Sequence, residues 1–313
     1  VRFFMHITSL APHLAPPAAD ALSAEMKDIA AAASATLDQL LAPVAGPRGR
    51  VMEAMRYSAL DGGKRFRPFL VVASSDLFDV PRASSLRVAA ALEMIHCYSL
   101  IHDDLPAMDN ADLRRGRASN HKAFGEAVAI LAGDGLLTYA FEVLAAPATH
   151  PNAEVRLRLI GELARGAGVD GMVGGQMLDI SDHRAQFDMA GISELQRLKT
   201  GALIRFGCRA GAILAQAPYD ALTALDKYAL DMGLAFQVAD DILDVTTSTE
   251  ALGKPSAQDE DNDKATFVRM LGLERARAFA QELVESACAH LDVFGSRGAM
   301  LAEAARFSVN RSS

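Results

Sequence analysis

A single-domain, all-α helical bundle is the fold this sequence predicts, and three observations predict it. Ala and Leu dominate, while Trp is absent and aromatic residues are only 6% of the 313 residues. That composition favours helices, because Ala and Leu lose little conformational freedom in them. Apolar residues recur at helical spacing nearly throughout, and no segment alternates apolar and polar residues as a half-buried strand would. Length alone would allow about two domains. The best linker candidate, the polar stretch Thr246–Lys264, lies too near the end to open a second one, so residues 1–313 are expected to form one domain.

Taken in order, residues 1–17 are apolar but broken by His6, Pro12, His13, Pro16 and Pro17, which makes a poor signal peptide and reads as a loose N-terminal arm. A first helix is expected over Ala18–Leu41, stopped by Pro43 and the Gly46-Pro47-Arg48-Gly49 loop. Val51–Leu60 and Pro68–Phe78 follow, separated at Gly62-Gly63. Leu86–Ile101 is strongly apolar and runs into an acidic cluster where Pro106 should end it. Further helices are expected over Phe124–Ala145, Val155–Ala167, Leu195–Ala215, Ala221–Val245, Leu273–Leu291 and Arg297–Phe307.

The charge balance narrows the function classes. A net charge of −8 argues against a general nucleic-acid binder, whose affinity rests on basic phosphate contacts, yet leaves room for a local basic pocket. Cys97, Cys208 and Cys288 are scattered and odd in number, with no CxxC pair, so a disulfide framework or zinc site is not expected and a reducing cytoplasm is the simplest compartment. No run of 18 uninterrupted apolar residues occurs, so a membrane span is not expected either.

Two acidic clusters carry the chemistry: Asp103, Asp104 and Asp109 in one, Asp240, Asp241 and Asp244 in the other. Each is set in apolar, helix-like sequence, where uncompensated charge is too costly to bury. Asp240 and Asp244 are four apart and share a helix face, a spacing at which like charges repel unless something positive sits there. One acidic helix end is common; two of this form in one helical chain point to a shared cation load. Hard oxygen ligands suit Mg²⁺, which takes one or two carboxylates per ion together with substrate phosphates.

Basic segments flank the first cluster. Arg114-Arg115-Gly116-Arg117 follows it, and Gly62-Gly63-Lys64-Arg65-Phe66-Arg67-Pro68 precedes it. Arginine grips phosphate oxygens in pairs, lysine adds a point charge, and glycines let backbone amides approach an anion. Either segment alone reads equally well as a solvated loop; beside metal-type carboxylates, the phosphate reading wins. Lys199, Lys254 and Lys264 would add further phosphate charge.

From about Met52 onward the chain resembles the trans-isoprenyl diphosphate synthases, most closely the bacterial farnesyl-forming type. The resemblance is carried by GGKRFRP, EMIHCYSLIHDDLPAMDNADLRRG, AILAGD, GGQMLD, KTGALI, FQVADDILDV and LGKPSAQDEDNDKAT. It implies an all-helical fold around a central cavity, a homodimer, and three Mg²⁺ ions bridging the acidic clusters and an allylic diphosphate. Asp103 and Asp109 match the metal ligands of the first motif, with Asp104 beside them; Asp240 matches that of the second, with Asp241 and Asp244 supporting it. Arg114, Lys199, Lys254 and Lys264 match the residues that hold the allylic diphosphate. Lys64, Arg67, His96 and Arg115 match the isopentenyl diphosphate site. A histidine on an apolar helix is more often a core residue, but His96 lies about two helical turns before Asp103, toward the same cavity mouth. Asn110 stands where an extra aspartate often follows the first motif, and Phe267-Val268-Arg269 replaces the usual Tyr-Pro pattern.

The reaction implied is head-to-tail condensation of isopentenyl diphosphate with dimethylallyl or geranyl diphosphate, giving farnesyl diphosphate (C15), with geranylgeranyl diphosphate (C20) as the alternative. Thr200, Gln237 and the Lys199 carbonyl are candidate dipoles for the allylic cation, although Gln237 alone reads equally as a helix-packing amide. Tyr98, five residues before Asp103, is the bulky candidate for the cavity floor, unless it merely packs in the core. A silent subunit of a heteromeric synthase would be expected to lose one acidic cluster, and a terpene cyclase would lack Lys64 and Arg67.

Overall fold

Helix α4, Arg82–Asp103, is apolar on every side over Val88–Ile95, and a helix of that kind has to be surrounded. The computed structural model, which describes residues 19–181, 186–252 and 266–310, packs it among α1 (Ala19–Leu40), α2 (Gly49–Ala59), α3 (Phe66–Asp76), α6 (Glu126–Ala145) and α10 (Ala202–Leu214). Seven of its residues from Val88 to Ile95 have no exposed surface, and the eighth, Glu93, has 2%. The remaining elements are α5 (Asn120–Phe124), α7 (Ala153–Ala167), α8 (Met172–Asp179), α9 (Met189–Gln196), α11 (Tyr219–Leu252), α12 (Phe267–Leu271), α13 (Leu273–Ala289) and α14 (Ala299–Asn310). The all-α expectation holds.

Packing of the outer helices follows from small polar stitches as well as apolar faces. Buried Ser74 on α3 donates its hydroxyl to the Gly207 carbonyl at 3.1 Å and accepts the Gly211 N–H at 3.2 Å, both on α10. The hydroxyl of Tyr228 on α11, itself without exposed surface, donates to the Leu301 carbonyl of α14 at 2.7 Å. A second, smaller apolar cluster joins Ile192, Val238, Phe267, Val268, Ala276 and Ala280, and so ties α9 and α12 to α11 and α13.

Several boundaries differ from the sequence expectation. The helix read over Leu195–Ala215 is α9 and α10 joined by a π-helical turn, Arg197–Gly201. The helix read from Phe124 breaks at Gly125, whose φ of 89° separates α5 from α6. The polar stretch read as a linker from Thr246 continues α11 as far as Leu252, and the Thr246 hydroxyl bonds back to the Ile242 and Leu243 carbonyls (2.9 and 3.2 Å). Its remainder, the N-terminal arm, Lys254 and Lys264 lie outside the described residues. A two-residue antiparallel hairpin, Leu113–Arg114 (β1) with Arg117–Ala118 (β2), was not expected. Helix α6 is long and apolar enough to cross a membrane by length and composition alone, yet it packs on α2, α4, α5 and α7 within the bundle.

Candidate active site

Helix α4 delivers the first acidic cluster at its C-terminal end, where solvent reaches Asp103 although the helix's own unpaired carbonyls disfavour negative charge. A tight turn follows: the Asp109 N–H donates to the Asp103 carbonyl at 2.9 Å and the Ala111 N–H to the Asp104 carbonyl at 3.2 Å. This returns Asp109 to the helix end beside Asp103. The neighbouring aspartates then part ways. Asp103 lines a cavity of about 390 Å³, and its pKa is pushed up to about 6, chiefly by burial, with Lys199 opposing and Asp109 adding to the rise. Asp104 is 2% exposed and is gripped by Arg114, whose Nε lies 3.1 and 3.2 Å from the two carboxylate oxygens and whose Nη2 lies 2.5 Å from Oδ1.

The unexpected hairpin explains how adjacent arginines reach different places. Its central residues, Arg115 (φ 53°) and Gly116 (φ 78°), both have positive φ, as a type I′ turn requires. Arg114 on the strand therefore turns to Asp104, while Arg115 donates from Nη1 to the Gly62 carbonyl at 3.0 Å. Gly63 (φ 95°) lies flat beneath that guanidinium; a Cβ there would stand 2.9 Å from Arg115 Cζ. Together with Lys64, Arg67 and His96, Arg115 lines a pocket of about 170 Å³.

Arg65 and Glu93 also reach the lining of this pocket, which is mostly cationic. Arg67 Nη1 is 3.5 Å from His96 Nε2, and Arg67 Nε is buried with no hydrogen-bond partner. Burial, followed by the charges of Arg67 and Arg115, holds His96 well below its ordinary pKa, so its imidazole is neutral at neutral pH. Phe66, Phe236 and Phe307 form the apolar side of the same pocket.

The opposite wall comes from α8, the π-turn and α11. Gly175 of α8 meets the backbone of Lys199 so closely that a Cβ would sit 2.1 Å from its nitrogen. That approach lets Lys199 Nζ donate to Asp179 Oδ2 at 2.5 Å. Next along the turn, Thr200 Oγ1 donates to Gln237 Oε1 at 3.3 Å, and Gln237 Nε2 donates to Asp240 Oδ2 at 3.1 Å. Thr200 and Lys199 line the 390 Å³ cavity with Asp103 and Tyr98, so the π-turn bridges the two acidic clusters. Asp241 instead accepts the Phe267 N–H at 2.7 Å, and Asp244 is exposed one turn on.

Among the described residues no three His, Cys, Asp or Glu side chains converge on one point, so no cation cage is built by the protein alone. The donor set fits Mg²⁺ in its shared form, in which each ion takes one or two carboxylates and completes its shell with water and phosphate oxygens. Asp103 and Asp109 offer such a pair at one end of the cavity and Asp240 offers another group near the π-turn.

Residues 49–292 match the family model described as Polyprenyl synthetase. The chain is 48% identical over 257 residues to the farnesyl diphosphate synthase of Escherichia coli (strain K12), covering 82% of this chain and 86% of that one. The chain belongs to the polyprenyl synthetase family. It is also 44% identical over 246 residues to the chloroplastic geranylgeranyl pyrophosphate synthase of Catharanthus roseus, covering 78% of this chain and 69% of that one. A crystal structure of an FPP/GFPP synthase from Zymomonas mobilis matches with a TM-score of 0.84 at 47% identity, covering 93% of this chain and 99% of that one.

Within this polyprenyl synthetase chain the structure brings Lys64, Arg67, His96 and Arg115 to one pocket, and Tyr98, Asp103, Lys199 and Thr200 to the adjoining cavity. Two partners were missed in the sequence. Asp179 ends the GGQMLD string with no local signal of its role, whereas Glu93 is the lone carboxylate in the apolar stretch Val88–Ile95, a signal that marks it. The Asp104–Arg114 pair yields a stability expectation. Arg114→Ala strands a buried carboxylate and should cost about 2–3 kcal/mol, below the range for a fully buried pair because Arg114 is itself part-exposed. A urea midpoint measures this, and adding Asp104→Asn, which removes the stranded charge, should recover part of the loss.

Proposed function

We propose that this protein is a short-chain prenyltransferase that condenses isopentenyl diphosphate with dimethylallyl or geranyl diphosphate, giving farnesyl diphosphate and inorganic diphosphate. The observation that carries this reading is the junction of a mostly cationic, orphan-donor pocket with a mostly apolar cavity that Asp103 lines and that Thr200 and Gln237 connect to Asp240 of the second cluster. Isopentenyl diphosphate fits the pocket of Lys64, Arg67, His96 and Arg115. The allylic diphosphate fits the cavity mouth near Arg114 and Lys199, with Lys254 and Lys264 added by family resemblance.

Mg²⁺, three ions by the same resemblance, would be held by Asp103, Asp109 and Asp240, with Asp104, Asp241 and Asp244 in support. When bound, it supplies Lewis-acid charge to the departing diphosphate. The protein's own part is to bind and orient. Arg114 and Lys199 neutralise the leaving group as the allylic C–O bond ionises, which is stabilisation of developing charge. The Thr200 hydroxyl, the Gln237 amide and the Lys199 carbonyl direct dipoles at the allylic cation. The double bond of isopentenyl diphosphate attacks C1 of that cation, and the proton lost from C2 passes to the released diphosphate, so no side-chain base is needed. Asp104 acts through Arg114, and Asp241 through the backbone of Phe267.

Tyr98 is 7% exposed, packs edge-on to His102 at 5.8 Å and lines the cavity below Asp103. Its ring favours a C15 product. The geranylgeranyl-forming relative keeps the C20 product as a second reading. Helix α6 exposes Ile130 (44%) and Leu131 (53%) on an otherwise apolar sequence, a face suited to a second copy of the chain, and we place a homodimer there. The free thiols of Cys97, Cys208 and Cys288 suit a reducing cytoplasm. One domain spanning the chain suffices for all of these roles.

Activity should require Mg²⁺, and Asp103→Ala or Asp240→Ala should lower turnover by orders of magnitude in a labelled isopentenyl diphosphate assay; full activity in EDTA or in either variant sinks the two-cluster reading. Lys64→Ala and Arg115→Ala should chiefly raise KM for isopentenyl diphosphate, and Lys199→Ala that for the allylic substrate. Each lost charge-assisted contact should be worth about 1.5–3 kcal/mol; swapped effects would mean that the two sites are reversed. Tyr98→Ala should shift the main product from C15 to C20 or longer with metal dependence intact, as read by chromatographic sizing. A variant that still stops at C15 places the floor elsewhere.

A further inference from the structure

The GGKRFRP loop carries three basic side chains, and they do not share a direction. Lys64 is exposed and lines the phosphate pocket, and Arg67 forms its floor beside His96. Arg65, between them, turns inward. It is 3% exposed, donating from Nη1 to Glu93 Oε1 at 2.6 Å and from Nη2 to the Ala59 carbonyl at 2.6 Å. Its backbone is left-handed, with φ 47° and ψ 38°, a conformation that a residue with a Cβ adopts only when its surroundings impose it. Glu93 is 2% exposed in the most enclosed stretch of α4, one turn before His96. Among the described residues this is the one ion pair with both side chains below 5% exposure.

That geometry has a consequence for both neighbours. The left-handed step at Arg65 is the N-cap of α3, so it decides how Lys64 leaves the loop and how Arg67 enters the first helical turn. Both ends of the Arg65 guanidinium are fixed, one to α4 and one to the end of α2, which ties the loop to two helices at once. Glu93 is also the charge that chiefly opposes the downward pressure of burial on the Arg67 pKa.

We propose that Glu93 and Arg65 are positioning residues for the isopentenyl diphosphate site: a buried clamp that holds the loop so that Lys64 and Arg67 converge on one diphosphate. Arg65 and Glu93 both reach the lining of that pocket, but the two Nη atoms of Arg65 are committed to Glu93 and Ala59, only its buried Nε is without a partner, and its part is to hold the loop. This rests on the assignment of that pocket under Proposed function. A clamp and a simple field effect have opposite signs. As a nearby negative charge, Glu93 repels a diphosphate, and removing the charge would tighten binding; as the anchor of Arg65, its loss releases a buried guanidinium, relaxes the loop and weakens binding.

The test is calorimetric titration of the full chain with isopentenyl diphosphate in the absence of allylic substrate, alongside KM for geranyl diphosphate and the melting temperature. Glu93→Gln should raise Kd for isopentenyl diphosphate about tenfold or more and leave KM for geranyl diphosphate within about twofold; Glu93→Asp should rescue part of the loss. The Arg65→Met/Glu93→Leu double variant removes both charges from the core together and keeps the variant folded if Glu93→Gln alone does not fold. It should bind as weakly as Glu93→Gln. Tighter or unchanged binding in Glu93→Gln, equal losses for both substrates, or wild-type affinity in the double variant overturns the clamp. A wild-type protein that binds neither isopentenyl diphosphate nor inorganic diphosphate overturns the pocket assignment itself.

Discussion

Charge cannot be stored inside an apolar helix without a partner, and the site is arranged around that cost. Helix α4 is enclosed for most of its length and can carry carboxylates only where it ends or where a counter-charge is fixed against it. Asp103 and Asp104 stand at its end, where one reaches the cavity and the other is held by Arg114. Glu93, in its enclosed middle, is tolerated because Arg65 meets it. The raised pKa of Asp103 reflects the same cost: burial outweighs the nearby charges of Lys199 and Arg114.

The basic groups are placed by backbone geometry rather than by helix faces. Two positive-φ steps, at Arg65 and at Arg115-Gly116, separate neighbouring arginines that would otherwise crowd one another. Each step sends one arginine to a buried carboxylate and its neighbour toward the ligand side. Arg65 is buried and fixes its loop, Arg114 holds Asp104 while its side chain stays part-exposed, and Arg67 and Arg115 line the pocket. The glycines at 63 and 116 make this possible, the first by leaving room under a guanidinium and the second by accepting the turn.

On the opposite wall, the π-turn does comparable work. An extra residue in the helical repeat, at Arg197–Gly201, brings Lys199 toward Asp179 and Thr200 toward Gln237 and Asp240. Local irregularity of this kind is found at functional sites because it points side chains in directions that a regular helix cannot. A hydrogen-bonded chain from Thr200 through Gln237 to Asp240 results, starting at the cavity wall.

The amino-acid sequence by itself determined the helical class, the order of the principal helices, and the identity of nearly every charged group at the site. Ala- and Leu-rich periodicity and acidic strings in apolar context are local signals, readable without knowing what lies across the bundle. It also carried the family resemblance through motifs that remain contiguous along the chain. Tertiary structure alone decided which of two adjacent aspartates reaches the cavity, which of two adjacent arginines reaches the pocket, and which helix bends into a π-turn. Those choices depend on groups far away in sequence, such as Asp104 with Arg114, Arg65 with Glu93, and Gly175 against Lys199. Short elements such as α8 and the hairpin escaped for the same reason: their own propensity is weak, and contacts across the bundle hold them in place.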